Sequence, residues 1–350
     1  MSLSDDILAQ RQGDDRKIRR ERDAALSRLS EVEAQLEQAN KALDFIDKTE
    51  HLSIEPPKWL TPIKPKPKSA TVIAMLSDTH FDEVVLPSEV EYLNCYNRAI
   101  AVQRLEEWTR NLIKMSRHYL SGMKYDGMVL ILGGDIFSGD IHEELKETNA
   151  DTLPASILFW SEQISAAITL LAESFGKVHV VSVVGNHGRL TRKPRMKLRA
   201  KTNIDWLLTK MVERYFVKDK RITFTVPEAT DAFFSVYGHG QLVTHGDQAT
   251  GGSGIGGIYP PIMRLRARKA QRYLATGQNF QTLWMGHWHQ YLPSPGLIVN
   301  GSLKGTDEYA FINNFQHEPP QQAMAIITPE HGITIQTPIF VADRDNEIWL

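Results

Sequence analysis

Residues 71–80 read TVIAMLSDTH, an apolar run that stops at Ser77 and is followed at once by Asp78 and His80. A run of β-branched and aliphatic residues is typical of a strand that is buried on both faces, as in a parallel sheet. A carboxylate and an imidazole directly after such a strand can be ordinary turn residues or ligands of a metal ion. The rest of the chain decides between these interpretations.

The same pattern recurs along the chain and predicts the fold class. Residues 128–134 (MVLILGG) and 178–185 (VHVVSVVG) read as buried strands, and helical patterns lie near residues 91–120 and 154–175. This β-α-β-α-β order predicts a mainly parallel sheet covered by helices. After residue 220 short strands dominate, and a second sheet packed on the first accommodates them. We therefore predict an α/β fold, a four-layer α/β/β/α sandwich.

Potential ligands follow five of the predicted strands. They are Asp78 and His80, Asp135, Asn186 and His187, His245, and finally His287 and His289 within the stretch GHWH. In α/β sheets, sites form beyond the carboxyl ends of strands, and glycine beside a ligand allows close approach. Each motif alone is common in turns, but five of them in this order predict one shared site.

The succession D-x-H, GD, GNH, H and GHxH resembles the calcineurin-like metallophosphoesterase superfamily over residues 71 to about 304. GGDIF, GNH and GHWH look closest to its SbcD-type DNA-repair nuclease branch, and the Asp-Arg-Gly of protein phosphatases is absent after Asp135. The resemblance implies a role for each matching residue. One metal ion would be held by Asp78, His80 and His289, and a second by Asn186, His245 and His287, while Asp135 would bridge both. His187 would be the catalytic residue, which stabilises the transition state or protonates the leaving alkoxide.

The ligand types bear on the metal. Imidazole and carboxylate together suit borderline divalent ions, so we expect two ions of Mn²⁺, with Fe, Zn or Mg as alternatives. Two positions depart from the superfamily pattern. Gly188 follows the catalytic histidine where relatives often carry Asp or Glu, and Ser138 stands where relatives carry an Asp or His that orients that histidine. Asp140 and His142 are candidates to replace it.

Two basic runs bear on the substrate, each downstream of a metal motif. From them we expect the nucleic-acid contacts to come from Arg189, Arg192, Lys193, Arg195 and Lys197, and from Arg264, Arg266 and Arg268. In a chain of net charge -2, such clusters favour a polyanion, although each run could be only a solvated face. We predict a DNA exonuclease or endonuclease. The alternatives are a small-molecule phosphatase or nucleotide phosphohydrolase, and a scaffold with a vestigial site.

The remaining segments predict organisation and location. Residues 1–50 contain a heptad seam through Leu29, Val32, Leu36 and Leu43, which favours a coiled coil, as a homo-oligomer or with a partner protein, over a single amphipathic helix. Residues 51–70 read as a Pro- and Lys-rich linker, and residues 71–350 as the catalytic domain. Gly252, Gly254 and Gly257 form a G-x-G-x-x-G that we interpret as a phosphate-contacting loop and not as a dinucleotide fingerprint, because no ribose-binding acid follows.

Composition agrees with a globular protein, at 42% hydrophobic residues with a single cysteine. One cysteine excludes an internal disulfide and fits a reducing compartment. The acidic N-terminus lacks the apolar core of a signal peptide, and no apolar run reaches the ~20 residues that span a bilayer. We expect a cytoplasmic protein with no membrane partner.

Overall fold

The computed structural model describes residues 19, 22–30, 32–33, 57–60, 68–251 and 257–342. The chain divides into two units, Met1–Ser53 and Ile54–Leu350. In the first unit, residues 22–30 and 32–33 are helical, and Leu29 and Val32 are exposed. Leu36 and Leu43 lie outside the described residues, so the coiled coil and its partner stay a prediction.

The second unit contains eleven described strands and six described α-helices. In chain order the strands are β1 (Ser69–Leu76), β2 (Lys124–Leu132), β3 (Val178–Ser182), β4 (Ile222–Thr225), β5 (Asp231–Val236), β6 (His239–Thr244), β7 (Thr282–Met285), β8 (Leu292–Ser294), β9 (Leu297–Val299), β10 (Gln321–Thr328) and β11 (Gly332–Phe340). The helices are α1 (Arg98–Lys114), α2 (Glu143–Thr148), α3 (Leu153–Phe175), α4 (Ile204–Tyr215), α5 (Tyr259–Ala275) and α6 (Glu308–Ile312). A π-helical turn, Met115–Tyr119, extends α1.

The strands form two sheets. The first has the order β11-β10-β1-β2-β3-β4, in which β1 to β4 run parallel and β10 lies antiparallel to β1. The second has the order β5-β6-β7-β9-β8, in which β6, β7 and β9 run parallel. Parallel strands bring their carboxyl ends to one edge, so the ends of β1, β2 and β3 are neighbours, as are those of β6 and β7.

The side chains of β1 alternate between its two faces, and their contacts define the layers. Val72 and Ala74 belong to a core cluster with Trp108 of α1 and Trp160 of α3, whereas Ile73 on the opposite face packs in a second cluster that also contains residues of both sheets. A third cluster joins the far face of the second sheet to α5. Because side chains in a strand alternate between faces, this arrangement places the first sheet between helices and the second sheet. The predicted four-layer α/β/β/α class is confirmed.

The change of sequence pattern at residue 220 does not coincide with the division of the strands between the two sheets. Among the later strands, β4, β10 and β11 join the first sheet, and only β5 to β9 form the second. Of the predicted linker, residues 57–60 are described; they form a turn in which Leu60 is fully buried among residues of both sheets. The backbone N–H of Tyr237 donates to the Leu60 carbonyl, at 2.7 Å, which ties this turn to the folded unit.

Helix α3 is an exception to the expectation that no apolar run reaches the length of a membrane span. Its 23 residues are long and apolar enough to cross a membrane, by length and composition alone. The helix instead contributes Trp160, Ile164, Ile168 and Leu171 to the core against the first sheet. Burial of one face of an apolar helix against a sheet accounts for this composition.

Candidate metal centre

Five strand ends converge on one site, at the edge where both sheets present their carboxyl ends. Backbone hydrogen bonds join the loops that leave them. The N–H of His80 donates to the Asp135 carbonyl at 3.1 Å, and the N–H of Gly286 donates to the His245 carbonyl at 2.8 Å. The N–H of His287 donates to the Asp78 carboxylate at 2.8 Å, which links the first sheet to the second.

The backbone at this edge is strained in a consistent way. Asp78, His80, Asp135, His287 and His289 all have positive φ, at 52°, 44°, 49°, 73° and 53°. Residues with a Cβ pay for this left-handed conformation in free energy, and it persists where the surroundings enforce it, most often at functional sites. Five of the seven predicted metal ligands therefore share a conformation that their side chains do not favour.

Two glycines allow the carboxylates to approach. A Cβ on Gly185 would lie 2.0 Å from the Asp135 Oδ1, and a Cβ on Gly286 would lie 2.2 Å from the Asp78 Oδ2. Both distances are far inside van der Waals contact, so no other residue fits at either position without displacing a carboxylate. The glycines of the GNH and GHWH motifs thus shape the site around its two central acids.

Three groups of side chains can each hold a metal ion, with ligand atoms within 4.8 Å of one another. The groups are Asp78, His80 and His289; His80, Asp135 and His187; and Asp135, His245 and His287. The Asn186 Oδ1 lies 3.1 Å from the His245 Nε2, beside the third group. The structure thus brings together all seven predicted ligands and His187. Their roles as ligands stay a prediction.

Hydrogen bonds orient the histidine rings for such a role. The Nδ1 of His245 donates to the Gly133 carbonyl at 2.9 Å, and the Nδ1 of His80 lies 3.2 Å from the Glu83 Oε2. The Gly133 carbonyl engages the Nδ1 of His245, which directs its Nε2 into the site, whereas the Nδ1 of His80 has the Glu83 carboxylate beside it but no hydrogen bond to a described residue. The Nε2 atoms of His80 and His289 lie only 3.2 Å apart. Two ring nitrogens that converge in this way suit a shared cation, and an outer acceptor on the opposite nitrogen is typical of metal-bound histidine.

The electrostatics of the buried acids also fit a cation. Burial raises the pKa of Asp78 to about 6, whereas His245 and His187 hold the pKa of Asp135 well below its usual range despite its burial. Burial opposes the charge on His245, but Asp135 and Asp78 raise its pKa to about 10. In the metal-free protein the His245 Nε2 therefore carries a proton 2.9 Å from the Asp135 Oδ2. That proton occupies the place that the ligand set offers to a divalent ion, and we conclude that the residues fit one.

This protonation predicts a pH dependence of metal binding. A metal ion on His245 must displace one proton, and each unit of pH below the His245 pKa weakens binding about tenfold, so affinity should fall roughly hundredfold from about pH 7 to about pH 5. Protonation of Asp78 at the lower end adds to the loss. Calorimetric titration with Mn²⁺ in two buffers of different ionisation enthalpy measures the affinity at each pH and the number of protons released on binding. Affinity that is independent of pH, with no proton release, would contradict this assignment.

His187 lies at the same edge and is held by an unexpected partner. Its N–H donates to the Asp135 Oδ1 at 2.6 Å, and its ring Nδ1 lies 2.8 Å from the backbone carbonyl of Ser138. The ring centroid is 4.5 Å from that of His80 and 5.8 Å from that of His142. The main chain of Ser138 therefore orients the ring, in place of the acidic or histidine side chain that the resemblance implies. His142 is a neighbour, and burial lowers the pKa of His187 to about 4.

Asp205 is a positioning residue that the sequence did not reveal. Its Oδ2 accepts the backbone N–H groups of Asp135, at 3.1 Å, and Gly185, at 3.0 Å, and its Oδ1 accepts that of Ile136 at 3.3 Å. One buried carboxylate thus holds the loops after β2 and β3 together. The only signal was Asn203-x-Asp205 at the start of α4, where Asn203 caps the helix, a pattern that indicates a helix start and nothing more.

A second set of polar residues supports Asp78 from behind. The Ser77 hydroxyl donates to the Asp78 Oδ2 at 2.5 Å and accepts from the Asn300 side chain at 2.8 Å. The Ser302 hydroxyl donates to the Asp78 carbonyl at 2.9 Å. Fully buried Lys304 pairs with Glu83, the carboxylate beside His80, at 2.7 Å. The residues after β9 thus fix the first metal group, although they carry no ligand themselves.

The structure separates the predicted nucleic-acid residues into two kinds. Arg189 donates to the carbonyls of Asn186, Thr191 and Arg192, and Arg266 donates to those of Gly296 and Gln281. These two side chains hold loops. The other six are exposed: Arg192, Lys193, Arg195, Lys197, Arg264 and Arg268. Of these, Arg192 lies 3.5 Å from Glu143.

No family model and no curated protein matches the chain. The similar solved structures include a predicted phosphoesterase from Streptococcus pneumoniae TIGR4, with 11% identity and a TM-score of 0.26, over 77% of this chain and 97% of that one. They include Entamoeba histolytica Vps29 complexed with zinc, with 9% identity and a TM-score of 0.28, over 77% of this chain and 99% of that one. A third is the Thermus thermophilus sulfate thiohydrolase SoxB, with 10% identity and a TM-score of 0.31, over 79% of this chain and 57% of that one. Likeness of this degree carries no argument about the chain. Its fold and its site define it as an α/β sandwich with adjoining groups of candidate metal ligands.

Proposed function

We propose that this chain is a two-metal phosphodiester hydrolase of the calcineurin-like metallophosphoesterase type and that its substrate is DNA, as in the SbcD-type nuclease branch. One observation carries the proposal. Residues from five strand ends form two groups, Asp78, His80 and His289 on one side and Asp135, His245 and His287 on the other, with Asn186 beside the second. Asp135 lies between them, since its carboxylate contacts His245 and the His187 backbone while its own carbonyl accepts from His80.

The donor set fits a pair of borderline divalent ions, for which we propose Mn²⁺. When bound, two such ions polarise the phosphoryl oxygens and supply a nucleophile at neutral pH. Asp78, His80 and His289 would hold one ion, Asn186, His245 and His287 the other, and Asp135 both. The strained loops fix these side chains before substrate arrives, which is what electrostatic preorganisation requires.

His187 would protonate the leaving alkoxide. The Ser138 carbonyl holds its Nδ1, so the Nε2 is the atom available to substrate. The buried ring is neutral near pH 7 because its pKa is lowered to about 4. An anionic phosphodiester beside the ring favours the imidazolium and shifts that pKa upward, whereas the two divalent ions would shift it downward, so proton donation depends on the bound substrate.

Replacing His187 by alanine tests this role. We expect the metal content to persist, because neither group of proposed ligands includes His187. Hydrolysis of DNA, whose leaving group is a poor alkoxide, should fall by roughly a hundredfold or more, since general acid catalysis contributes at least that much. Hydrolysis of a bis(4-nitrophenyl) phosphate should fall far less, because nitrophenolate leaves without a proton. Equal losses for both substrates would refute the assignment.

The exposed basic side chains near the site support DNA, and not a small phosphoester, as the substrate. Lys193, Arg195 and Lys197 extend from the loop that follows Asn186 and His187, and all three side chains are exposed. Clustered cations beside a phosphodiester site attract a polyanion and serve a long substrate, whereas a small ester has no use for them.

A substrate panel tests the proposed function directly. Purified protein loaded with Mn²⁺ is incubated with labelled single- and double-stranded DNA, RNA, nucleotides and bis(4-nitrophenyl) phosphate. We expect DNA to be cut and the nitrophenyl diester to be hydrolysed, with loss of both activities on chelation. Hydrolysis confined to nucleotides or phosphomonoesters would support the small-molecule phosphatase instead. Absence of turnover with any substrate would favour the scaffold.

A further inference from the structure

A cleft of about 310 Å³ adjoins Asn186, beside the group of Asp135, His245 and His287. Its lining includes Asn186, Arg189, Thr191, Arg195, Arg199 and Asp247, and we call it the arginine cleft. A separate cleft of about 360 Å³ adjoins His289 on the other metal group, lined by residues such as Trp288, Thr306 and Phe315. Of the two, only the arginine cleft is lined by cationic side chains.

Arg199 lines this cleft with a guanidinium that Asp247 holds in place. One of its terminal nitrogens donates to both oxygens of Asp247, each at 2.8 Å. Its Nε is buried and has no hydrogen-bond partner in the part of the chain that the structure describes. The buried Nε has no surface open to the cleft, so the donor that Arg199 offers to a ligand is its other terminal nitrogen, which the contact with Asp247 leaves unused.

Arg189 adds a guanidinium held in a fixed position. It donates to three carbonyls, those of Asn186, Thr191 and Arg192, at 2.9, 3.0 and 3.3 Å. A guanidinium has five N–H donors, so these contacts with described residues leave donors for a ligand. Because the Asn186 carbonyl is one of its acceptors, Arg189 is positioned directly against the residue that we propose as a metal ligand.

Arg195 completes the cleft from its open side. The side chain is exposed, and it makes no hydrogen bond or ion pair with another described residue. The three arginines carry three positive charges, and Asp247 offsets one of them. Several guanidinium groups around one cleft match the oxygens of a phosphate, because their planar forks donate paired hydrogen bonds.

We propose that the arginine cleft binds a second phosphate of the substrate, next along the chain from the phosphate that is cut. The inference rests on the proposed function and refines it. A nucleic acid carries such a phosphate at a fixed distance from each scissile bond, whereas a simple diester does not. The subsite therefore distinguishes an oligonucleotide from a small phosphoester, and it fixes the direction in which the strand crosses the metal centre.

Paired nitrophenyl esters test the subsite. The first pair is thymidine 5′-(4-nitrophenyl phosphate) with and without a 3′-phosphate. The second is thymidine 3′-(4-nitrophenyl phosphate) with and without a 5′-phosphate. In one pair the added phosphate should raise kcat/KM by roughly tenfold or more, the effect of charge-assisted hydrogen bonds, and the pair that responds gives the strand direction. The two pairs thereby distinguish a cleft that binds the phosphate on the 3′ side of the nucleoside from one that binds the phosphate on the 5′ side.

Variants of Arg195 assign the effect to the cleft. Arg195→Ala should reduce the ratio of kcat/KM with and without the added phosphate to near one, and Arg195→Lys should retain part of it. Lys220→Ala, which removes an exposed charge next to the amino end of β4, should keep the full ratio. No benefit from either added phosphate, or a benefit that Arg195→Ala leaves intact, would overturn the subsite while the proposed function stands. If no ester is hydrolysed with any divalent metal, the proposed function fails and the subsite with it.

Discussion

Asp135→Asn is expected to abolish phosphodiester hydrolysis, by roughly a thousandfold or more, and to lower the metal content of the protein. Asparagine keeps an oxygen for the His187 N–H, and its amide can face the Nε2 of a neutral His245, so the loops should retain their structure. It lacks the charge that two cations need between them. Measurements of metal content by mass spectrometry and of turnover with bis(4-nitrophenyl) phosphate and DNA check both effects.

Asp126→Asn provides a matched control for this change. Asp126 lies near the amino end of the same strand, β2, and accepts a hydrogen bond from the Tyr237 hydroxyl at 2.8 Å. This variant removes the same charge from the same strand and should keep full activity and metal content. Retention of activity by Asp135→Asn on every phosphodiester tested would refute the two-metal assignment.

Reversing three charges next to the site should separate DNA from small substrates. With Lys193, Arg195 and Lys197 changed to Glu, cleavage of duplex DNA at about 0.15 M salt should fall roughly a hundredfold more than turnover of bis(4-nitrophenyl) phosphate, because DNA loses phosphate contacts that the small diester never makes. If all three contact phosphate, the dependence of log affinity on log salt should also flatten by about 2.7, at ~0.9 for each contact. DNA cleavage measured across a salt series gives both quantities.

The control makes the same change of charge at the opposite edge of the first sheet. Lys124, Lys177 and Lys220 are exposed at or next to the amino ends of β2, β3 and β4. Their replacement by Glu changes the net charge of the protein equally but far along the strands from the metal groups. If both triple variants lose DNA cleavage to the same degree, only net charge matters, and the loop after His187 is a solvated face.

The strands that carry the site could be predicted from the sequence because each is buried on both faces. Apolar runs such as residues 71–76 are typical of buried strands, and β1, β2 and β3 form where these runs lie. Sheet membership could not be predicted in the same way. β10 pairs with β1 although Ala74 and its partner Met324 are 250 residues apart, and nothing local in either strand specifies such a distant partner.

The ligand candidates could be predicted because their side-chain chemistry and their position after a strand coincide. The groups that orient them could not. Ser138 holds His187 through a backbone carbonyl, which every residue type possesses, so no side-chain pattern reveals it. Asp205 acts through backbone N–H groups of loops that precede it by about 20 and 70 residues. Its position two residues after Asn203 looks like ordinary helix capping.

The roles of the basic residues also could not be predicted from their number in the sequence. The basic runs were visible in the sequence, but their members serve different purposes once folded. Arg266 binds carbonyls of neighbouring loops, and Lys269, a basic residue of the same helix, is buried against Asp231 at 2.6 Å. The sequence does not reveal which basic side chains of a helix face inward when the apolar pattern is weak, as in residues 264–272.

The most direct test of the central claim is anomalous diffraction from a crystal of the protein grown with Mn²⁺. We predict two anomalous peaks at the edge where both sheets end, about 3.5–4 Å apart, with the Asp135 carboxylate between them. One peak should contact Asp78, His80 and His289, and the other Asn186, His245 and His287. A single peak, or none at this edge at saturating Mn²⁺, would contradict the account.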